Sequence, residues 1–329
     1  MISTLYIEKE VLKAERVLEI RQRFEHLETI ECDFYGEIFN RKAQNFRLQK
    51  KNPALILAKK HKGFVLPAPE SYGIGGENNY YFSHMMNCIY DCRYCFLQGM
   101  YRSANYVVFV NYESFADEIR KVAQQHADES VYFFSGYDCD SLALEPVTKF
   151  IDFIFPVFEE LPDAFLELRT KSTQVRGLLD RTVLDNCIVA FSLSPDNIVK
   201  SLEAKTASLD KRIEALQKLQ NKGWKIGLRF DPLIYCDSYQ EDYVCLFDKV
   251  FSVLDAEAIH SVSLGGFRMP EKFFKNMVKL YPDEKLFAST LEENDGMVSY
   301  AKELEQEMLE YCENELLKYL PREKYFPCF

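Results

Sequence analysis

The sequence predicts an α/β protein, a partial (β/α)6 TIM-like barrel. Three observations predict it. Six short apolar runs alternate with amphipathic helical patterns between Tyr80 and Leu280, the order expected of repeated parallel βαβ units. Each run closes on a polar cluster: "HMMNCIYDCRYC", "SGYDCDS", "LRTKS", "FSLSP", "RFDP" and "LGGFR". Catalytic groups in a parallel barrel gather where strands end, so these clusters read as one shared mouth. The 329 residues, 47% of them hydrophobic, suffice for such a domain and its core.

The elements follow in chain order. Ile7 to Leu27 carries Val11, Leu12, Leu18 and Phe24 among charges at helical spacing, and predicts a helix. It belongs to an N-terminal helical and basic segment, residues 1–70. The turn-rich "SYGIGGENN", Ser71 to Asn79, marks the entry to the main domain. The barrel is assigned to residues 71–288. Its expected strands are Tyr80–Met85, Val131–Ser135, Phe165–Arg169, Ile188–Leu193, Lys225–Phe230 and Ile259–Leu264. The expected helices are Phe115–Gln125, Val147–Glu159, Ser208–Asn221, Asp242–Val253 and Glu271–Leu280. Residues 289–329 read as an acidic C-terminal helix, Glu293 to Leu320, and a tail packing on the barrel. Cys312 and Cys328 in that region read as packing thiols, with an auxiliary metal as the alternative.

No stretch is apolar for the length of a membrane span, and the first twenty residues lack a signal-peptide apolar core. The expected location is the cytoplasm, with no membrane partner. Thiols stay reduced there, so clustered cysteines point to metal or redox chemistry. The net charge of −11 argues mildly against a polyanionic partner, but the charge is uneven. Arg41 to Pro69 carries eight Lys or Arg and no Asp or Glu, a local +8 against −19 for the remainder. Lys50, Lys51, Lys59 and Lys60 are therefore candidates to meet nucleic-acid phosphates, with a solvated basic surface as the alternative.

Cys88, Cys92 and Cys95 form C-x-x-x-C-x-x-C after the first expected strand. A structural zinc site wants four ligands, and no second cysteine or histidine pair follows at suitable spacing. Four thiolates would saturate a [4Fe–4S] cube, whereas three leave one iron open to a substrate or cofactor.

This triplet resembles the signature of radical S-adenosylmethionine (SAM) enzymes, and Tyr94 before the third cysteine matches it too. The resemblance narrows to the spore photoproduct lyase family. "CRYCFLQGMY", "LELRTKST", "FSLSP", "TASLDKRIEALQKLQNKGWKIGLRFDPLIY", "LGGFRMPEKFF" and "LYPDEKLF" are similar to consecutive family segments, roughly Pro53 to Phe287. The resemblance implies a barrel of the radical SAM type, a [4Fe–4S] cluster on Cys88, Cys92 and Cys95, and SAM on its open iron. It implies that Tyr94 packs near SAM, that Lys171 holds the SAM carboxylate and that Ser192 hydrogen-bonds SAM, with an ordinary cap before Pro195 as the alternative for Ser192. Asp231 is a further candidate for cofactor or substrate hydroxyls, with a turn before Pro232 as the alternative. It implies a reducing partner such as flavodoxin or ferredoxin.

The family reaction opens a methylene-bridged thymine dimer in DNA, and the product radical then needs a hydrogen atom. Relatives take it from a cysteine after the second strand, relayed by a tyrosine just after the third cluster cysteine. Here Tyr137 stands at the donor position, Cys139 falls two places later, and Phe96 follows Cys95 without a phenolic O–H. Cys139 as a displaced donor and Tyr137 as a replacement donor are the two expected rescues; an inert buried Cys139 is the alternative. Three functions remain open: repair or modification of DNA, the same radical chemistry on a non-DNA substrate, and an iron–sulfur protein on a decayed barrel. An intact "RTKS" and cluster loop count against decay. A lesion in duplex DNA would also have to leave the stack.

Overall fold

The computed structural model describes residues 2–69, 72–127 and 129–328. The boundary expected at residues 70 and 71 falls on two residues outside that range, as do Met1 and Phe329.

Six parallel strands form the barrel sheet: β1 (Asn78–Phe82), β2 (Val131–Ser135), β3 (Ala164–Thr170), β4 (Cys187–Ser192), β5 (Lys225–Leu233) and β6 (Ile259–Gly266). They pair in chain order from β1 to β6, and Leu66–Pro67 adds antiparallel to β1. Among the described residues the sheet does not close on itself. β2 to β6 were legible as apolar runs because strands covered on both faces need little alternation; "CIVAFS" of β4 is buried throughout, whereas β1 is half-buried at four of its five positions. What alternates is chemistry. Phe133, Leu166, Val189, Leu228 and Val262 face the helices in the main apolar core. The residues between them, such as Glu167, Arg169, Arg229 and Asp231, line the inside and bond to one another.

The helices cover the outer face. Leu209–Lys222 begins at Ser208, whose side chain accepts from the Lys211 N–H, and ends at Gly223, φ 104°. There Gly223 and Trp224 donate back to Gln220 and Leu219 at 2.9 and 3.1 Å, a Schellman stop that only a residue at ease with positive φ supports. Trp224 then seats its buried ring against Phe155.

Two regions differ from the sequence expectation. The N-terminal helix spans only Glu15–Arg23; Ile7 lies in the strand Thr4–Glu8. Leu5 and Ile7 are buried on one face of that strand, a period-2 signal that the longer helical pattern masked. Leu18, expected inside, is 51% exposed. This strand joins Glu28–Cys32, Ala54–Ala58, Tyr106–Phe109 and Met85–Met86 in a second, five-stranded sheet. The basic segment is thus split by a fully buried strand, "ALILA". At the other end, Leu291–Asn294 and Met297–Tyr300 form a hairpin, and the acidic helix runs only from Lys302 to Leu316. Asp295 and Gly296 both take positive φ, 50° and 76°, the backbone that a tight Asp-Gly hairpin turn requires. The helix packs against β6 and the helix Tyr239–Phe251. No helix among the described residues is long and apolar enough to cross a membrane.

Candidate active site

The three thiols stand on the loop after β1, at the carboxyl ends of the barrel strands. Asn87 takes φ 69° and holds the loop entrance, its buried amide donating to Ser103 O and Asn105 O at 2.7 and 2.8 Å. Asp91–Cys92 pairs antiparallel with Glu203–Ala204, placing Glu203 opposite Cys92. Tyr281 donates to Asp91 at 3.1 Å, and Asn276 donates to Gly99 O at 2.9 Å. A side chain at Gly99 would begin 2.2 Å from the Phe273 carbonyl oxygen, so only glycine allows that approach.

Burial pushes all three thiols up, Cys88 to about 12, with Asp140 and Glu203 adding to the effect at Cys88 and Cys92 respectively. Two ammonium groups oppose it. Lys50 is 4% exposed, donates to Cys88 O at 2.9 Å, and favours thiolate at Cys88. Lys171 does the same for Cys92 and Cys95. Three desolvated thiols with two cations turned toward them suit thiolate ligands whose charge iron balances. Among the described residues, no three His, Cys, Asp or Glu side chains converge on the position of one ion; a cube gives each thiolate its own iron.

Beside the triplet lies a network the sequence reading missed. Glu203, 2% exposed, accepts from Tyr94 Oη, from Ser194 Oγ at 3.0 Å and from Arg212 at 2.5 Å. Lys171 Nζ is 4.0 Å from the same carboxylate and 5.5 Å from the centre of the Tyr94 ring. Burial alone would raise the Glu203 carboxyl; Lys171 and Arg212 outweigh it and hold it below its usual value. Arg212 is fully buried and also donates to Ser192 O at 3.1 Å. Asp140 is the second omission. It accepts from Thr170 Oγ1 at 2.6 Å and from the Lys171 N–H at 2.7 Å, tying the loop after β2 to the "RTKS" strand end. An acidic residue four places after a glycine turn, and a lone Glu before "KTASLDKR", carried no spacing signal that singled them out.

Ser192 and Asp231 end β4 and lie near the end of β5. Both are gathered by Arg169, which reaches Ser192 Oγ at 3.3 Å, Asp231 Oδ2 at 3.0 Å and Tyr72 Oη at 2.7 Å. Tyr137 joins this side: its ring centre is 4.4 Å from Tyr81, 5.7 Å from Phe96 and 6.4 Å from Tyr72. Cys139 is separated from it. Its buried side chain packs in the core of the N-terminal sheet with Met85 and Val108. The four lysines also part company. Lys50 is buried under the cluster loop, Lys59 pairs with Glu10, and Lys60 lies over Phe109 and Phe115 while donating to Ser83 O at 3.4 Å. Lys51 alone of the four is exposed.

The sequence model of the spore photoproduct lyase family matches residues 76–323. The chain belongs to that family. Among curated relatives, the spore photoproduct lyase of Bacillus subtilis strain 168 is 26% identical over 292 residues, spanning 86% of this chain and 83% of its own. That of Clostridium acetobutylicum is 22% identical over 74% of this chain and 70% of its own. A solved spore photoproduct lyase variant with bound AdoMet and dinucleoside spore photoproduct superposes with a TM-score of 0.86 at 18% identity, covering 100% of this chain and 98% of that one. A second, complexed with dinucleoside spore photoproduct, gives 0.84 at 18% identity with the same coverage. At these identities the superpositions show the fold: a partial α/β barrel with the second sheet beside it. Spore photoproduct lyase family membership gives the chain its reaction class, a radical SAM lyase.

Proposed function

We propose that this chain is a radical SAM lyase that repairs a methylene-bridged thymine dimer in DNA. The carrying observation is the convergence of Cys88, Cys92, Cys95, Tyr94, Lys171 and Glu203 at the mouth of a barrel that belongs to this family. Cys88, Cys92 and Cys95 would hold three irons of a [4Fe–4S] cluster, leaving SAM the fourth. When bound, the two cofactors supply the 5′-deoxyadenosyl radical that abstracts hydrogen from the substrate. Lys171 offers its ammonium to the SAM carboxylate, and the Glu203–Arg212 pair fixes Tyr94 and Lys171 for that contact. Ser192 and Asp231, held by Arg169, would meet cofactor or substrate hydroxyls. The family's named relatives and the bound dinucleoside of the solved neighbour support the DNA lesion as substrate. Phosphate contact falls to the exposed cations of the basic segment, Lys51 with Arg41, Lys42, Arg47 and Lys62. A flavodoxin or ferredoxin would supply the electron.

A non-DNA substrate is the second reading, favoured by one observation: Phe96 and Tyr137 stand where relatives place the relay tyrosine and donor cysteine. The deciding experiment is anaerobic reconstitution with iron and sulfide, followed by SAM cleavage with and without dinucleoside spore photoproduct. Repaired thymines together with 5′-deoxyadenosine are expected. 5′-Deoxyadenosine without repair would favour the second reading, and none under any condition would overturn both.

A further inference from the structure

The segment after the acidic helix runs alongside β6 as a further parallel stave. Tyr325 bridges Val262 in parallel, Phe326 N–H donates to Val262 O at 2.9 Å and Cys328 N–H donates to Leu264 O at 2.8 Å. Cys328 therefore arrives at the level of Gly265, at the same end of the barrel as the other site residues. It also lies beyond residues 76–323, the part matched to the family.

Its surroundings are those of the mouth. A side chain at Gly265 would begin 3.2 Å from Cys328 Cβ and 3.3 Å from Asp231 Oδ1, so the missing side chain lets both close on one spot. Cys328 lines a pocket with Tyr72, Phe134, Arg169 and Ser263. Arg268 donates to Cys328 O at 2.8 Å and to its sulfur at 3.2 Å, fixing the thiol. Tyr72 carries the wall on to Tyr137, ring centres 6.4 Å apart. Burial, with Asp231 adding to it, raises the Cys328 thiol, which favours the S–H form.

A carbon radical left on the substrate needs a hydrogen atom, and the two thiols nearest in role are not equivalent. Cys139, on the loop where relatives keep their donor, packs into the other sheet's core. Cys328 enters the same mouth from a different part of the chain. We propose that Cys328 is the thiol that returns a hydrogen atom to the substrate radical. The inference rests on the radical lyase reading above. The S–H bond breaks and a C–H bond forms on the substrate carbon, leaving a thiyl radical. One electron from the low-potential one-electron donor that serves the cluster, and one proton from solvent, restore the thiol.

The test is repair of dinucleoside spore photoproduct in D2O by the reconstituted full chain, with the thymine product read by mass spectrometry. An S–H exchanges with solvent, so the wild type is expected to place a single deuterium in the product methyl group. Cys328→Ala and Cys328→Ser are expected to lose that deuterium while still forming 5′-deoxyadenosine; the serine variant keeps a partner for Arg268 should the alanine variant fail to fold. Cys139→Ala is expected to retain it. A second readout needs no cofactor: in the cluster-free protein, the dinucleoside should protect Cys328 from iodoacetamide, while the exposed Cys245 stays reactive. Deuterium kept in Cys328→Ser, or lost in Cys139→Ala, would overturn the assignment alone. Absence of repair by the wild type would instead remove the reading on which it rests.

Discussion

The loop that carries the three thiols is fastened by partners from distant parts of the chain: Lys50, Glu203, Asn276 and Tyr281. The loop after β2 is held at Asp138, whose N–H donates to Ser83 and whose carboxylate accepts from Tyr101, and at Asp140, which accepts from Thr170 and the Lys171 N–H. On either side of Asp138, Tyr137 and Cys139 diverge, one into the aromatic wall of the mouth and one into another core. Generating a radical requires a fixed geometry, and the many partners of the first loop suit the role proposed for it. Finishing a radical requires only a weak X–H bond within reach, a looser demand that a residue from another part of the chain can meet.

The largest effect is expected at the first loop. Cys92→Ala is expected to abolish both iron retention and SAM cleavage, measured by iron content and 5′-deoxyadenosine after reconstitution. Retained cleavage would mean the triplet is not the cluster site. Next is the buried pair behind it. Arg212→Met takes the guanidinium away from the Glu203 carboxylate at zero exposure and leaves it the more distant Lys171 at 4.0 Å, and breaking such buried pairs costs about 3–5 kcal/mol; denaturant unfolding of the variant measures it. A third test uses pH. Burial, with Lys60 adding to it, pushes the His84 imidazole down to about 3. The unfolded chain takes up that proton below about pH 6.5 and the folded one only near pH 3. Stability is therefore complete above about 6.5 and falls as pH drops toward 3, by an amount on the order of a few kcal/mol. His84 stacks on Phe150 at 3.9 Å, and His84→Phe should flatten this slope in acid unfolding curves. The smallest effect belongs to the second loop's neighbour. Phe96→Tyr restores a phenol facing Tyr137 and should move stability by no more than about 0.5 kcal/mol, with any change appearing in product partitioning instead of in iron content.

The barrel was legible because its strands are short apolar runs with special residues at their ends, and β2, for one, begins and ends where the pattern put it. The cysteine triplet was legible because its spacing is local. Glu203 was not, since its meaning depends on a two-residue pairing with Cys92 across 111 positions of chain, which no local period encodes. Lys50 looked like one more surface cation in a basic run; burial under the cluster loop turns its charge inward. The N-terminal sheet was hidden for a related reason. Its central strand, Ala54–Ala58, reads as a five-residue apolar interruption between lysines, and a short run alone does not distinguish strand from buried turn. The hairpin at Asp295–Gly296 was within reach of turn chemistry, but the acidic helical pattern that follows drowned it.

The antiparallel step between Cys92 and Glu203 also bears on how the site is filled. A loop whose shape depended on its metal would fold when loaded and collapse when stripped, as small zinc domains do. Here backbone pairing, the Asn87 clamp and the Glu203–Arg212 pair hold the thiols in place through the protein's own bonds. Maturation then becomes delivery into a waiting socket, and a chelator should take the iron away without taking the fold.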